Sequence, residues 1–251
     1  MLKSFINLFL KFSPYQVVNK QYLVQKLQIA EATEFENELC KICHEYTVTP
    51  LVRRWALIQA IKAVYSQNLD GDIVECGVWK GGNLILSQML VEKFNLNRKT
   101  YGYDTFKGMS KPGDSDSHRI TGELAKAKWK NNNVEDYNTW CYASIEEVQT
   151  NIQKHVMNPD NVQLIMGKVE ETLLKKENLP ESISVLRLDT DWYESTKIEL
   201  EVLYPRLVKG GILIVDDYGL WNGSRRAVDE YFKDSNVWLH YIDEDCRLLI
   251  K

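Results

Sequence analysis

From Asp72 onward the chain alternates short apolar runs with helical patterns, and this alternation restricts the fold more than any other feature. "DIVECG", "KTYGYD", "NVQLIMG", "SISVLRLD" and "GILIVDD" have strand length and strand composition. Between several of them, Leu84 to Phe94, Ile145 to His155, Val169 to Glu177 and Glu194 to Leu207 predict helices. Strands separated by helices imply a mostly parallel α/β sheet covered on both faces. After the fifth strand, "SRRAVDEYFKD" predicts a helix with Ser224 as N-cap. "VWLHYI" and "CRLLI", joined by "DED", predict a C-terminal antiparallel hairpin at one sheet edge. The first 70 residues are helical in pattern, clearest from Leu51 to Gln67 behind Thr49 and Pro50. The expected organisation is an N-terminal helical cap over 1–70 and a strand–helix domain over 71–251. Residues 105–143 break the rhythm: they are polar, with Trp129, Tyr137, Trp140 and Tyr142 interspersed, and a connection this long is expected to be a functional lid.

A chain of 251 residues can bury one sizeable core, and 44% hydrophobic with 26% charged residues is the composition of a soluble globular protein. A net charge of −4 argues against nucleic-acid binding, which needs a concentrated basic face. No apolar run approaches the roughly 20 residues of a transmembrane helix. "MLKSFINLFLKFSP" begins like a signal peptide, but Ser4 and Asn7 interrupt it and no small-residue cleavage pattern follows. An amphipathic helix folded onto the domain is expected there, with membrane-surface binding as the alternative. Five scattered cysteines form no disulfide framework, which implies a reducing, cytoplasmic setting. "CKICH" has the spacing of a haem attachment motif, yet Leu39, Cys40 and Cys43 fit the apolar face of a helix starting near Thr33, and a zinc site lacks its second pair of ligands.

Parallel sheets bind ligands beyond the carboxyl ends of their strands. The first strand ends "ECGVWKGG", Glu75 to Gly82, with the spacing G-x-x-x-G-G. That is neither a dinucleotide fingerprint nor a P-loop. Glycines allow close approach of a ligand to the backbone, and an acid at Glu75 would repel a pyrophosphate. S-adenosylmethionine (SAM) suits such a turn, since it carries a sulfonium and an amino group and no phosphate. Asp104, ending the second strand, can accept hydrogen bonds from ribose hydroxyls. The competing interpretation makes Glu75 and Asp104 helix-capping or solvated strand-end acids.

The fourth and fifth strands each end on two aspartates, Asp189 with Asp191 and Asp216 with Asp217. Carboxylates that converge repel one another unless a cation or proton intervenes. Oxygen ligands with no neighbouring histidine or cysteine favour Mg²⁺ over zinc. Helix N-termini could accept one acid of each pair, but hardly all four.

"DIVECGVWKGGN", "YGYDTFKGM", "LRLDTDWYESTKIELEVLYPRLVKGGILIVDDYG" and "RRAVDEYF" resemble, in order and spacing, the macrocin/mycinamicin-type (TylF-like) sugar O-methyltransferases, which are SAM- and Mg²⁺-dependent. The resemblance runs from about Asp72 to Phe232. It implies a class I methyltransferase fold, Rossmann-like, with a seven-stranded sheet. It further implies that the stretch around Glu75, Gly77, Gly81 and Gly82 holds the methionine part of SAM, Asp104 the ribose, and that Gly167 lies near the adenine. Asp189, Asp216 and Asp217 would be the metal ligands; catechol-type relatives have asparagine at the third of these. The expected reaction is methyl transfer to a sugar hydroxyl of a glycan, nucleotide sugar or glycosylated natural product. Methylation of a catechol-like or other vicinal diol is the second reading, and a non-catalytic metal-binding module the third. Asp189 is the expected base as well as a ligand, with Asp191 the alternative base and His118 a competitor; His155 is expected to be structural. Trp129, Trp140 and Tyr142 either stack on the acceptor or pack the lid. The N-terminal helices offer a surface for self-association.

Overall fold

The computed structural model describes residues 29–251, so the expected amphipathic segment at the N-terminus lies outside the described residues. Helices α1 (Glu34–His44) and α2 (Leu51–Ser66) precede the first strand. The sheet domain then runs β1 (Asp72–Cys76), α3 (Gly82–Lys93) and β2 (Thr100–Asp104). The insert follows with α4 (Ala125–Asn131) and a small ribbon of β3 (Asn133–Val134) and β4 (Tyr137–Asn138). Next come α5 (Ile145–His155), β5 (Val162–Met166), α6 (Val169–Thr172), β6 (Ile183–Leu188) and α7 (Tyr193–Leu203). The chain finishes with β7 (Leu207–Val215), α8 (Asn222–Phe232), β8 (His240–Tyr241) and β9 (Arg247–Ile250).

The seven-stranded sheet has the order β5-β2-β1-β6-β7-β9-β8. Five strands are parallel, and β9 runs antiparallel to both β7 and β8. Strand alternation sorts the core onto two faces. Ile73, Val185, Ile212 and Ile214 pack against α1, α2, α3 and α5. Val74, Cys76, Leu186, Leu188, Leu213 and Val215 pack against α6, α7 and α8 on the other face. Helices α1 and α2 therefore cover one face of the sheet and share its core.

Capping explains α1: Thr33 and Glu36 form a reciprocal capping box, while Leu39, Cys40 and Cys43 are buried. Both cysteines of the haem-like motif are thus core residues. Three boundaries differ from the sequence expectation. Helix α8 begins at Asn222 with Trp221 at its cap, because Leu220 and Trp221 already donate to the Asp217 carbonyl; Ser224 is buried inside the first turn. Helix α6 ends after Thr172, with only a short 3₁₀ turn over Lys176–Asn178 beyond it. Helix α7 stops at Leu203, before Pro205, which cannot continue it, and Leu207 already belongs to β7.

The carboxyl edge of the sheet is ordered by backbone hydrogen bonds running one residue past each strand. Gly167 N–H donates to the Asp104 carbonyl, Gly77 N–H to Tyr103, Asp189 N–H to Cys76 and Asp216 N–H to Leu188, at 2.8 to 2.9 Å. Gly167, Asp104, Gly77, Asp189 and Asp216 consequently stand along one edge. The strand order departs in both directions from β1 and β6, so Gly77 and Asp189 sit at the switch point where α/β sheets open a crevice.

Candidate active site

A cavity of about 520 Å³ opens over this switch point. Gly77, Asp104, Asp189, Asp191, Asp216 and Asp217 line its floor. The insert and the β7–α8 loop supply its walls, including Met109, Lys128, Trp140 and Trp221. A smaller cavity of about 60 Å³ adjoins it, sharing Gly77, Asp104 and Asp189 and adding Gly167. Glu75, Gly81 and Gly82 line neither cavity.

Their positions have local causes. Gly77 has φ +85°, and a Cβ there would come within 2.0 Å of the Asp189 carbonyl oxygen. The β1 and β6 turns touch backbone to backbone at this point. Gly77→Ala should therefore destabilise the fold by more than the roughly 1–2 kcal/mol that a left-handed conformation costs alone, and should weaken S-adenosylhomocysteine (SAH) binding. Urea denaturation and calorimetry check both; an unchanged SAH affinity would remove Gly77 from the cofactor site. A Cβ at Gly82 would meet the Tyr46 backbone instead, which is a packing constraint between α3 and the segment after α1. Asp104 is held in the turn by four donors: Val78 and Trp79 N–H to Oδ2, and Phe106 N–H and the Thr105 hydroxyl to Oδ1. Burial raises its pKa while these donors lower it. Four bonds use about the full capacity of a carboxylate, so any further hydroxyl would have to share or displace one of these donors.

Beneath the floor lies a charge network that the sequence analysis did not identify. Arg187 is buried in β6, in register with Glu75 of β1. Its Nη1 donates to Glu75 Oε1 at 2.6 Å and Asp189 Oδ2 at 2.7 Å, and its Nη2 to Asp216 Oδ1 at 2.6 Å and Thr49 Oγ1 at 3.2 Å. Arg53 of α2 donates to Asp216 Oδ2 at 2.5 Å, Asp243 at 2.7 Å and Asp245 at 2.8 Å. Glu75 thus faces Arg187 and Asn83; burial pushes its carboxyl up to about 7, with Arg187 opposing. A detectable signal existed. An arginine inside the apolar run "ISVLRLD" must find buried carboxylates, because an unpaired charge there costs several kcal/mol.

The two arginines leave Asp191 and Asp217 without a cation among the described residues. Carboxylate oxygens of Asp189, Asp191 and Asp217 lie within 4.8 Å of one another. The structure therefore groups Asp191 with Asp189 and Asp217, while Asp216, expected as a ligand, is held by Arg187 and Arg53. Asp217 Oδ2 is buried with no hydrogen-bond donor to it among the described residues. Burial and then the Asp189 charge push Asp191 up to about 8, and burial with the Asp191 and Asp216 charges raises Asp217. Asp191 also carries a left-handed backbone at φ +69°, unusual for a residue with a side chain. An orphaned buried oxygen in an all-carboxylate cluster fits a hard divalent cation, which relieves the same repulsion.

His118 lines the cavity, but its Nδ1 accepts from Ile120 and Thr121 N–H. The neutral ring therefore carries its proton on Nε2 and has no free lone pair for a base. His155 lies outside the cavity and contacts the Tyr46 hydroxyl.

The insert is anchored from two sides. Fully buried Asp116 accepts from Tyr193 N–H at 2.9 Å, which satisfies a free donor at the α7 N-terminus, and Trp192 Nε1 donates to the Ser110 carbonyl at 3.0 Å. Trp140, Trp192 and Trp221 contact one another with ring centroids 5.1 to 6.0 Å apart, so Trp140 both packs the insert and presents to the cavity. Trp129 donates to the Met109 carbonyl and Tyr142 packs on Tyr137.

Comparison with known proteins gives a consistent picture. Residues 13–249 match the family model described as macrocin-O-methyltransferase (TylF). The 8-demethyl-8-(2,3-dimethoxy-alpha-L-rhamnosyl)-tetracenomycin-C 4'-O-methyltransferase of Streptomyces olivaceus is 32% identical over 188 residues, 74% of this chain and 67% of that protein. The mycinamicin III 3''-O-methyltransferase of Micromonospora griseorubida is 30% identical over 207 residues, 81% of this chain and 76% of that protein. The solved structure of the O-methyltransferase NovP superposes with a TM-score of 0.72 at 30% identity, covering 82% of each chain.

Proposed function

The chain belongs to the macrocin O-methyltransferase family and is a SAM-dependent O-methyltransferase of class I fold; on that premise we propose that it methylates a sugar hydroxyl in a Mg²⁺-dependent reaction. The observation that carries this reading is the cluster of Asp189, Asp191 and Asp217 beneath a cavity large enough for a sugar, with Asp217 Oδ2 unpartnered. Relatives named for acting on sugars of glycosylated natural products support the acceptor class.

Asp189 and Asp217 would hold Mg²⁺, and Asp216 completes the set only by exchanging an arginine for the ion. Gly77, Asp104 and Gly167 would border SAM across the two adjoining cavities. When bound, the metal stabilises negative charge developing on the acceptor hydroxyl and SAM supplies the methyl group. Asp191, beside Asp189 and Asp217 at the cavity floor, would in its ionised form accept the hydroxyl proton. Arg187 fixes Asp189, and Trp140 and Trp221 line the cavity that would hold the acceptor, so these side chains would limit how the acceptor hydroxyl is oriented.

A panel of glycosides, nucleotide sugars and catechols, each with Mg²⁺ and with chelator, tests this function. Transfer to a sugar that chelator stops and Mg²⁺ restores is expected, with SAH affinity little changed. Chelator-insensitive transfer would reject the metal, and transfer confined to catechols would favour the second acceptor class.

A further inference from the structure

A second open groove of about 430 Å³ lies beside the catalytic cavity, bordered by Arg119, Arg225, Arg247, Tyr218 and Tyr241. We propose that it binds a phosphoryl group carried by the acceptor beyond the sugar to be methylated, an inference that rests on the function proposed above.

Three guanidinium groups meet here in a chain whose net charge is −4. The local acids do not neutralise them. Glu244 is exposed, and Asp229 reaches Arg225 Nε at only 3.4 Å while also accepting from the Tyr218 hydroxyl. Arg225 and Arg247 both stand over the Tyr218 ring, at 5.4 and 5.1 Å from its centroid, and Arg247 over Tyr241 at 4.6 Å. Cation–π contacts hold the like charges together without discharging them. Arg119 is fixed through Nε to the Gly219 carbonyl, and Arg247 through Nη1 to the Asp243 and Cys246 carbonyls. Both Nη groups of Arg119 and Arg225, with Nε and Nη2 of Arg247, are without a partner among the described residues. Planar guanidinium forks with spare parallel donors match phosphoryl oxygens better than a compact ammonium would.

The groove is joined to the catalytic cavity by two short segments of chain. His118 lines the cavity and its neighbour Arg119 the groove; Leu220 and Trp221 line the cavity, Tyr218 and Gly219 the groove. The segments are clamped together by Arg119 N–H donating to the Leu220 carbonyl at 2.8 Å. A sugar over the aspartates could thus extend a phosphoryl substituent across this wall. Two sources share that chemistry, a nucleotide diphosphate and a lipid-linked phosphate.

The test is calorimetric titration of the full chain with sodium pyrophosphate in EDTA, so that no metal bridges it to the aspartates. Wild type should bind, with an affinity that falls as salt rises. Arg225→Glu, at a side chain 47% exposed and safe for folding, should weaken binding by at least about tenfold, as should Arg119→Gln. Absence of binding in wild type, or wild-type affinity retained in both variants, would overturn the proposal. UDP binding more tightly than pyrophosphate would support it and identify a nucleotide source; dodecyl phosphate binding more tightly would support it and identify a lipid source. Methyl transfer to a neutral glycoside should be unchanged in Arg225→Glu. If no sugar is methylated while pyrophosphate still binds, the proposed function fails and the groove stands.

Discussion

Asp217→Leu should abolish most methyl transfer, by roughly 10²- to 10³-fold, the scale of removing one preorganised electrostatic group, while raising the stability of the fold. The two effects have one cause. Asp217 is buried, with Oδ2 unpartnered and the carboxylates of Asp189 and Asp191 within 4.8 Å. Without a cation this arrangement is a liability, and burial with the neighbouring charges raises the Asp217 pKa accordingly. Leucine fills much the same volume and removes both the charge and the oxygens that could hold a cation. A purely structural carboxylate would give the opposite result, since its loss would lower stability or leave activity untouched. Turnover at saturating Mg²⁺, SAH calorimetry and thermal unfolding in chelator decide the matter. Turnover within tenfold of wild type, or a lowered melting temperature, would remove Asp217 from the metal site.

What the sequence disclosed and what it concealed follow from the range of the interactions. The strand ends were legible because a parallel sheet places the residue after each strand at one edge, and the acids at 104, 189, 191, 216 and 217 follow apolar runs directly. The partners of those acids come from remote segments. Arg53 lies on α2 and meets Asp216 from 163 positions away, and Asp116 caps α7 from 77 positions away. No local pattern reports such contacts. Glu75 illustrates the cost: as a strand-end acid near a glycine turn it suggested a ligand contact, whereas strand parity turns it beneath the sheet edge toward Arg187. Gly81 and Gly82 likewise belong to the glycine-rich turn, yet Gly82 is explained by contact with Tyr46. Two of the three boundary differences, at the end of α7 and the start of α8, arise where Pro205 and the Asp217 turn override helical periodicity.

Arg187→Met should cost about 3–5 kcal/mol of stability, the range for removing one partner of a buried ion pair. Arg187 bonds Glu75, Asp189, Asp216 and Thr49 through two nitrogens, and the first three would be left as buried or half-buried carboxylates at the sheet centre. Methionine fills similar volume, so the loss reports charge and hydrogen bonding more than a cavity. Lysine should rescue little, because one ammonium cannot span four oxygens in the geometry of a planar fork. Adding Glu75→Gln to Arg187→Met should recover part of the loss, since Glu75 has no other cation among the described residues, whereas Asp216 keeps Arg53. Urea unfolding of the two single variants and the double variant measures this coupling; a loss under about 1 kcal/mol for Arg187→Met, or strict additivity with Glu75→Gln, would contradict it. The same variant should also lose turnover, because Asp189 is positioned by the guanidinium that holds Glu75. Stability and catalysis would therefore meet at Arg187, whereas at Asp217 they would oppose each other: one charge neutralises the sheet centre, and the other repels its neighbours.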